Sequence, residues 1–447
     1  MREMKDSGLK WIGQIPNGWE VNRIKYLFKT AKGLAVTKDN LIEDGLPVIS
    51  YGQIHSKINT GVTVADELCR FVSYDYRKYV SSKLEKFDFA FADTSEDYEG
   101  CGNCVYKRTD DELYGGYHVV ILHSIKKEDN RYFAYLFQTD AWREQIRTKA
   151  SGVKVFSVTQ KIINEASVII PPIKTQICIA DYLDAKCKEI NSIGTDIRTQ
   201  IETLEQYKRS IITEIVTKGL DLNVEMKDSG IEWIGRIPKD WEIKPFGYVL
   251  KERNEKNIPI KTEERLSLSI DKGITLYADK TTNLDRFKDD VSQYKIAHEG
   301  DFVMNSMNMI VGAFDVSSYY GCVSPAYYTF YDETEGHYNA RFCNYFFKMK
   351  PMMKLLFSLG KGIMAIDRGD DRVNTCRLKV SRYDLNKLPI CVPKQSVQKE
   401  IVLYLDKVCE KIDDIICKKT EQLDVLEEYK KSLIYEYVTG KKEVPAI

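Results

Sequence analysis

Apolar residues recur every seven positions along two stretches of the chain. In the first they are Leu183, Ile190, Ile197, Leu204 and Ile211. In the second they are Leu405, Ile412, Leu426 and Leu433, with Lys419 interrupting the seam. Ile179, Ile193, Ile201, Tyr207 and Ile215 fill much of the adjoining stripe in the first, and Ile401, Ile415, Ile416, Leu423 and Tyr437 in the second. A seven-residue period held over several turns predicts long helices packed as a coiled coil. Pro171-Pro172 and Pro393 mark their starts, and Gly219 and Gly440 their ends. Two core helices in separate domains would show the same period. Matching seams within one chain favour packing of the two on each other, and antiparallel packing would put the segments they follow at opposite ends.

Those segments read as mixed α/β. Residues 119–125 and 166–170 are rich in β-branched side chains and poor in breakers, so they predict strands. Residues 131–149 predict one helix and residues 339–359 its counterpart, each shortly before a proline-marked helix start.

The chain repeats itself. MKDSGLKWIGQIPNGWE begins at Met4 and MKDSGIEWIGRIPKDWE at Met226, 222 residues later. At the same offset Trp11 matches Trp233, Pro16 matches Pro238, Trp19 matches Trp241 and Tyr26 matches Tyr248. The helical stretches from Gln176 to Thr217 and from Gln398 to Thr439 match as well. Residues 30–170 and 252–392 are equal in length and show little resemblance. Duplication followed by divergence of the middles explains the pattern. The expected fold class is α+β, with two α/β domains (1–170 and 222–392) and two long helices (171–221 and 393–447) in a pseudo-twofold repeat.

Composition narrows the function only slightly. Lys plus Arg and Asp plus Glu are each 66 among 447 residues, so net charge neither signals a nucleic-acid binder nor excludes a local basic face. No apolar run is long enough to span a bilayer, and the first residues lack a signal-peptide core, which predicts a cytoplasmic protein with no membrane partner. Eleven scattered cysteines, an odd number, predict reduced thiols.

Motifs for chemistry are weak. There is no phosphate-binding GxxxxGK[ST] loop. Residues 360–365 fit GxGxxA formally but follow a helix-like stretch and not a strand. Cys101 and Cys104 form a lone CxxC without a second ligand pair, so a Gly-rich loop is the simpler reading. Ser324-Pro325-Ala326-Tyr327 is similar to the [NDS]PP[YF] motif of amino-group DNA methyltransferases, but Ala326 replaces the second proline and no cofactor loop accompanies it. A tight turn into the strand YYTFY is expected there. His118 and His123 flank an apolar run and are expected to be packed or surface residues. What remains are polar, Gly-containing loops at 30–38, 92–107, 150–157, 269–277, 304–312 and 360–372, which are solvated surface or nucleic-acid contacts.

Several segments together resemble the specificity subunits of type I restriction–modification systems. They are KDSG-x-x-WIG-x-IP-x-x-WE at the start of each half, FADTSEDYEG at 91–100, ASGVKVFSVTQ at 150–160, GCVSPAY at 321–327, and PP-x-x-x-Q-x-x-IA-x-YLD at the first long helix. PKQSVQKEIVLYLD at the second helix departs from the last pattern. The resemblance implies a non-catalytic subunit in which each divergent middle is a target-recognition domain reading one half of a bipartite site in double-stranded DNA. It implies that the helices space the two readers. At 1.5 Å per residue, a helix over 174–218 would be on the order of 65 Å long and would cap the gap at roughly 19 base pairs. It implies two modification subunits, which bind S-adenosylmethionine, and restriction subunits that supply ATP-driven translocation and cleavage; no cofactor is expected in this chain. Candidate DNA contacts in the polar loops are Thr94, Ser95, Tyr98 and Lys154 in the first half, and Asn305, Ser306, Asn308 and Arg368 in the second. The rival readings are a self-contained adenine methyltransferase and a coiled-coil adaptor with no DNA role.

Overall fold

The computed structural model describes residues 3–126, 128–221, 223–279, 290–334, 336–363 and 377–445. The chain divides into two compact units, Met1–Ile197 with Glu421–Ile447, and Arg198–Thr420. Both draw on the two long helices, Ile173–Lys218 (46 residues) and Gln395–Val438 (44 residues).

In the first unit a four-stranded antiparallel sheet runs in the order Cys104–Tyr106, Phe89–Ala92, Val119–Ser124, Phe28–Lys32. Its second sheet, in the order Tyr114–Gly115, Leu46–Ile49, Arg70–Val72, Leu41–Ile42, contains one parallel pair. Phe89, Phe91, Tyr106, Phe137 and Trp142 are buried between the first sheet and the helices that follow it. The same core takes in Ile179, Leu183, Cys187 and Ile190 from the first long helix, and Leu433, Ile434, Tyr437 and Val438 from the second.

The second unit repeats this order with different residues. Its sheet runs Phe314–Val316, Phe302–Asn305, Tyr327–Tyr331, Lys251–Glu252, again antiparallel throughout. Phe302 faces Phe330 where Phe89 faces Leu122, and Asn305 faces Tyr327 where Ala92 faces Val119. The duplication therefore extends into the middles that look unrelated. Core positions need only be apolar and of suitable volume, so sequence drifts while strand order persists.

The frame closes identically in both units. Glu20–Arg23 pairs with Ser167–Ile170, and Glu242–Pro245 with Pro389–Val392, in registers related by the 222-residue offset. Buried Gln176 and Gln398 each turn back, their Nε2 groups donating to the carbonyls of Pro171 and Pro393 at 2.8 Å. This holds the proline-marked first turn, where backbone groups lack helical partners. Gly219 and Gly440 end the helices with φ of +80° and +70°, conformations that favour glycine.

The helices are antiparallel within each unit. In the first, Tyr182 meets Tyr437 and Lys430 reaches Asn191. In the second, Lys208 pairs with Asp413 and Lys419 donates to Gln200, so the charge that interrupts the seam has a polar partner. Leu183, Ile190, Leu405, Ile412 and Leu433 are buried, whereas Ile197, Leu204, Ile211 and Leu426 are half-buried. Ile193, Tyr207 and Ile415, expected in the adjoining stripe, are exposed. A pair of helices covers a narrow seam, and the stripe is fully covered only where a sheet domain also packs on it.

Two helix expectations are corrected. Residues 131–149 form two helices, Arg131–Phe137 and Asp140–Arg147, because Thr139 adopts an extended conformation and its side chain caps Trp142 N. Residues 339–359 likewise break into Ala340–Phe347 and Lys350–Leu359, with Met349 extended and Pro351 in the first turn of the second helix.

His123 is packed by charge. Its Nδ1 lies 2.7 Å from Asp88 Oδ2, and the other Asp88 oxygen accepts from Ser124 N. The hydrogen bond to Asp88 raises the His123 pKa above its usual value against the opposing effect of burial. The protonated ring stabilises the fold, fully below the unfolded-state pKa of about 6.5, and the contribution is lost as pH rises through the higher folded value. Denaturation titrations between pH 5.5 and 8.5 should show a pH-dependent loss of about 1 kcal/mol that is absent in His123→Gln.

Candidate nucleic-acid interface

The polar loops of the first unit come together beyond one end of its main sheet. Thr94–Ser95, following the strand Phe89–Ala92, pairs antiparallel with Phe156–Ser157. This joins the loop at 92–107 to the loop at 150–157. Tyr98 and Phe156 meet edge to face at 6.0 Å, and the Tyr98 hydroxyl donates to Glu144 at 3.0 Å. Lys154 is exposed at the tip of the second loop, beside Val153. Ser95 is buried, its Oγ accepting weakly from Asp97 N at 3.4 Å.

Three further segments converge on Thr94. Its carbonyl accepts from His55 Nε2 at 2.8 Å, and Asn103 Nδ2 lies 3.1 Å from His55 Nδ1. Its hydroxyl lies 2.8 Å from Asp93 Oδ1, which is also 2.7 Å from His118 Nδ1. Tyr51 and Tyr117 set their rings against His118, with centroids 5.6 and 4.0 Å away. The loop leading to His118 runs close to its neighbours: a Cβ on Gly33 would sit 2.1 Å from Gly116 O. Sequence reading missed Tyr51, His55, Asp93, Tyr117 and His118 as a group. The available signal was the Gly115-Gly116 pair before an aromatic and a histidine at a strand start.

In the second unit Asn305 closes the equivalent strand, half-buried, with Oδ1 accepting from Met307 N at 3.1 Å. Asn308 is exposed beside Met307. Ser306 is fully buried, and its Oγ has no hydrogen-bond partner among the described residues. Arg368 lies outside the described residues. Ser324-Pro325-Ala326 is a turn, with Tyr327 N donating to Ser324 O at 2.9 Å, and it leads into Tyr327–Tyr331 as expected. In the matched strand order it occupies the place of Tyr117-His118 in the first unit.

The other chemical motifs resolve as structure. Cys101 and Cys104 are buried, and burial pushes both thiols up, Cys104 to about 12. Of the GxGxxA match, residues 361–363 form a strand paired with Arg377–Lys379, and residues 364–365 lie outside the described residues. Among the described residues no cluster of His, Cys, Asp and Glu could hold a metal, every cysteine is unpaired, and no helix is long and apolar enough to cross a membrane.

Comparison with known proteins gives this arrangement a class. Residues 16–203 match the family described as the type I restriction modification DNA specificity domain. The chain is 25% identical over 444 residues to a type I restriction enzyme specificity subunit, MjaX, of Methanocaldococcus jannaschii, covering 97% of this chain and 96% of that one. It is 20% identical over 205 residues to the EcoKI specificity subunit of Escherichia coli, covering 45% and 43%. A chain from a structural study of the assembly and conformational transition of a type I restriction–modification system shares the fold, with a TM-score of 0.64 at 13% identity over 96% of this chain and 99% of that one. Residues 16–203 thus carry the sequence pattern of a DNA specificity domain. Over nearly its whole length the chain is similar to a specificity subunit of a type I restriction–modification system.

Proposed function

We propose that each unit reads one half of a bipartite, asymmetric site in double-stranded DNA, and that the long helices set the gap between the half-sites. The observation that carries this reading is the shared strand order of two middles whose loop residues differ, set in a duplicated frame. Two equivalent frames suit two copies of one partner. That partner is the modification subunit, which brings S-adenosylmethionine to the complex, and restriction subunits add ATP-driven translocation and cleavage. The complex works in the cytoplasm. Lys154 and Asn308, exposed on their loops, are contacts for phosphates or bases, with Thr94 and Tyr98 on the loops of the first unit and Asn305 on that of the second; Arg368 is a further candidate outside the described residues, and Ser95 and Ser306 are buried.

Exchanging residues 30–166 for the equivalent segment of a relative tests this, since it spares the closing strand Ser167–Ile170. Methylated-motif sequencing after co-expression with the modification subunit should show one half-site changed and the other kept. Two altered half-sites, or none, would refute modular reading. Purified alone, the chain should neither methylate nor cleave DNA, and methylation should appear when the modification subunit is added.

A further inference from the structure

We propose that His118 is a specificity residue that accepts a hydrogen bond from an exocyclic amino group of adenine or cytosine in the half-site of the first unit. The inference rests on the reading of that unit as a half-site reader and names one of its base contacts.

Four observations lead to it. The Asp93 carboxylate accepts at 2.7 Å from Nδ1, so the neutral ring carries its proton there and leaves a lone pair on Nε2. Thr94 donates to the same carboxylate oxygen at 2.8 Å, which keeps Asp93 an acceptor. Nε2 has no protein partner among the described residues, and the side chain is 37% exposed. Finally, His118 has φ of +55°, a left-handed conformation uncommon for residues with a Cβ. The chain adopts it at the first position before the strand Val119–Ser124, where it aims the ring between Tyr51 and Tyr117. Uncommon backbone held in place by a packed surround is a feature of binding sites.

An acceptor on a protein face selects a donor on a base edge. In the major groove the donors are adenine N6–H2 and cytosine N4–H2, whereas guanine and thymine present acceptors there. The exposed Tyr117 ring, packed edge-on against the imidazole, adds apolar surface next to it. His55 cannot serve in the same way, because both its nitrogens are already engaged, with Thr94 O and Asn103.

The test uses the full chain in complex with its modification subunit, on duplexes carrying its methylated motif. Each adenine of the half-site is replaced in turn by purine, and each cytosine by 2-pyrimidinone, which removes only the amino group. In the wild type one such replacement should weaken binding about tenfold. In His118→Ala that replacement should have no further effect, giving a double-mutant coupling at one base alone. His118→Gly removes the ring while suiting the backbone, and it replaces the alanine variant should that fail to fold. His118→Glu, an acceptor only, should retain dependence on the same amine, and His118→Lys, a donor only, should favour guanine at that position. Retention of the base preferences at the other positions of the first half-site shows each variant's first unit to be folded. An amine penalty that survives His118→Gly overturns the proposal, as does a wild type indifferent to every amine of the half-site. If the segment exchange has changed that half-site, such indifference sinks the His118 contact alone. If the exchange has left it unchanged, the half-site reading itself fails.

Discussion

Replacing Asp184 by alanine should destabilise the first unit by about 2–3 kcal/mol, the cost of losing charge-assisted hydrogen bonds at a half-buried site where Arg131 keeps Asp129 and Asp181 as partners. Asp184 sits on the first long helix and fastens the sheet domain to it. Its carboxylate accepts from Arg131 Nη1 at 2.7 Å, from the Tyr135 hydroxyl at 2.7 Å and from Arg108 Nη2 at 2.9 Å. Burial pushes this carboxyl up, but the hydrogen bonds from Tyr135 and Arg131 and the charge of Arg108 outweigh it and leave the pKa below its usual value. A depressed folded pKa stabilises the native state above the unfolded value of about 3.9, and that contribution is lost as pH falls through the folded value. Acid unfolding of the wild type should therefore include a step below pH 4 that Asp184→Asn lacks. The second unit repeats the clasp: Asp406 accepts from Arg341 at 2.7 Å and from Tyr345 at 2.8 Å. With two donors, and Arg341 more exposed, Asp406→Ala should cost only about 1–2 kcal/mol. Equal losses in denaturant titrations of the two variants would contradict this ranking.

Trp142→Ala should cost a further-reaching 3–5 kcal/mol or so by opening the centre of the first core. The indole is fully buried, 4.3 Å from the Phe137 ring and 6.1 Å from that of Phe91. Its Nε1 donates at 3.0 Å to Ser167 O, on the strand that closes the frame. Gln145 Nε2 donates to that carbonyl as well, at 2.9 Å, so the acceptor keeps a partner when the indole is lost. Trp142→Phe, which restores most of the volume, should accordingly recover most of the stability. A phenylalanine variant as unstable as the alanine one would show that the hydrogen bond, and not the packing, matters more.

The long helices, their limits and the duplication were legible because each rests on a periodic or repeated signal. The heptad register survives any choice of apolar residue, and Pro171, Pro393, Gly219 and Gly440 act through the backbone. Other features depended on tertiary contacts. Thr139 reads as an ordinary helix residue until its side chain caps the next helix. Asp184 and Asp406 look like two more surface acids on a charged helix, and only the arrival of Tyr135 and Tyr345 from another element gives them their role. The candidate interface was partly legible: the loops bearing Thr94, Tyr98, Lys154, Asn305 and Asn308 were found by composition. Composition cannot report that Ser95 and Ser306 point inward, because a strand end alternates faces with each residue. Nor could it group Tyr51, His55, Asp93 and His118, which come from separate stretches joined by the sheet.

The makeup of the two cores has a consequence for biosynthesis. Residues Arg198–Thr420 form one unbroken run, so that unit has all its parts once Thr420 has left the ribosome. The first unit is begun earlier and finished later. Its core waits for Leu433, Ile434, Tyr437 and Val438, and the Tyr132 hydroxyl finds its acceptor only in Val438 O, at 2.7 Å. The domain translated first thus completes last, and until then it exposes the apolar side of the helix bearing Ile179, Leu183 and Ile190. Long-range closure of this kind is slow and leaves sticky surface open during synthesis. Nascent chains halted before residue 433 should hold a protease-resistant second unit beside a first unit that remains open to chaperones.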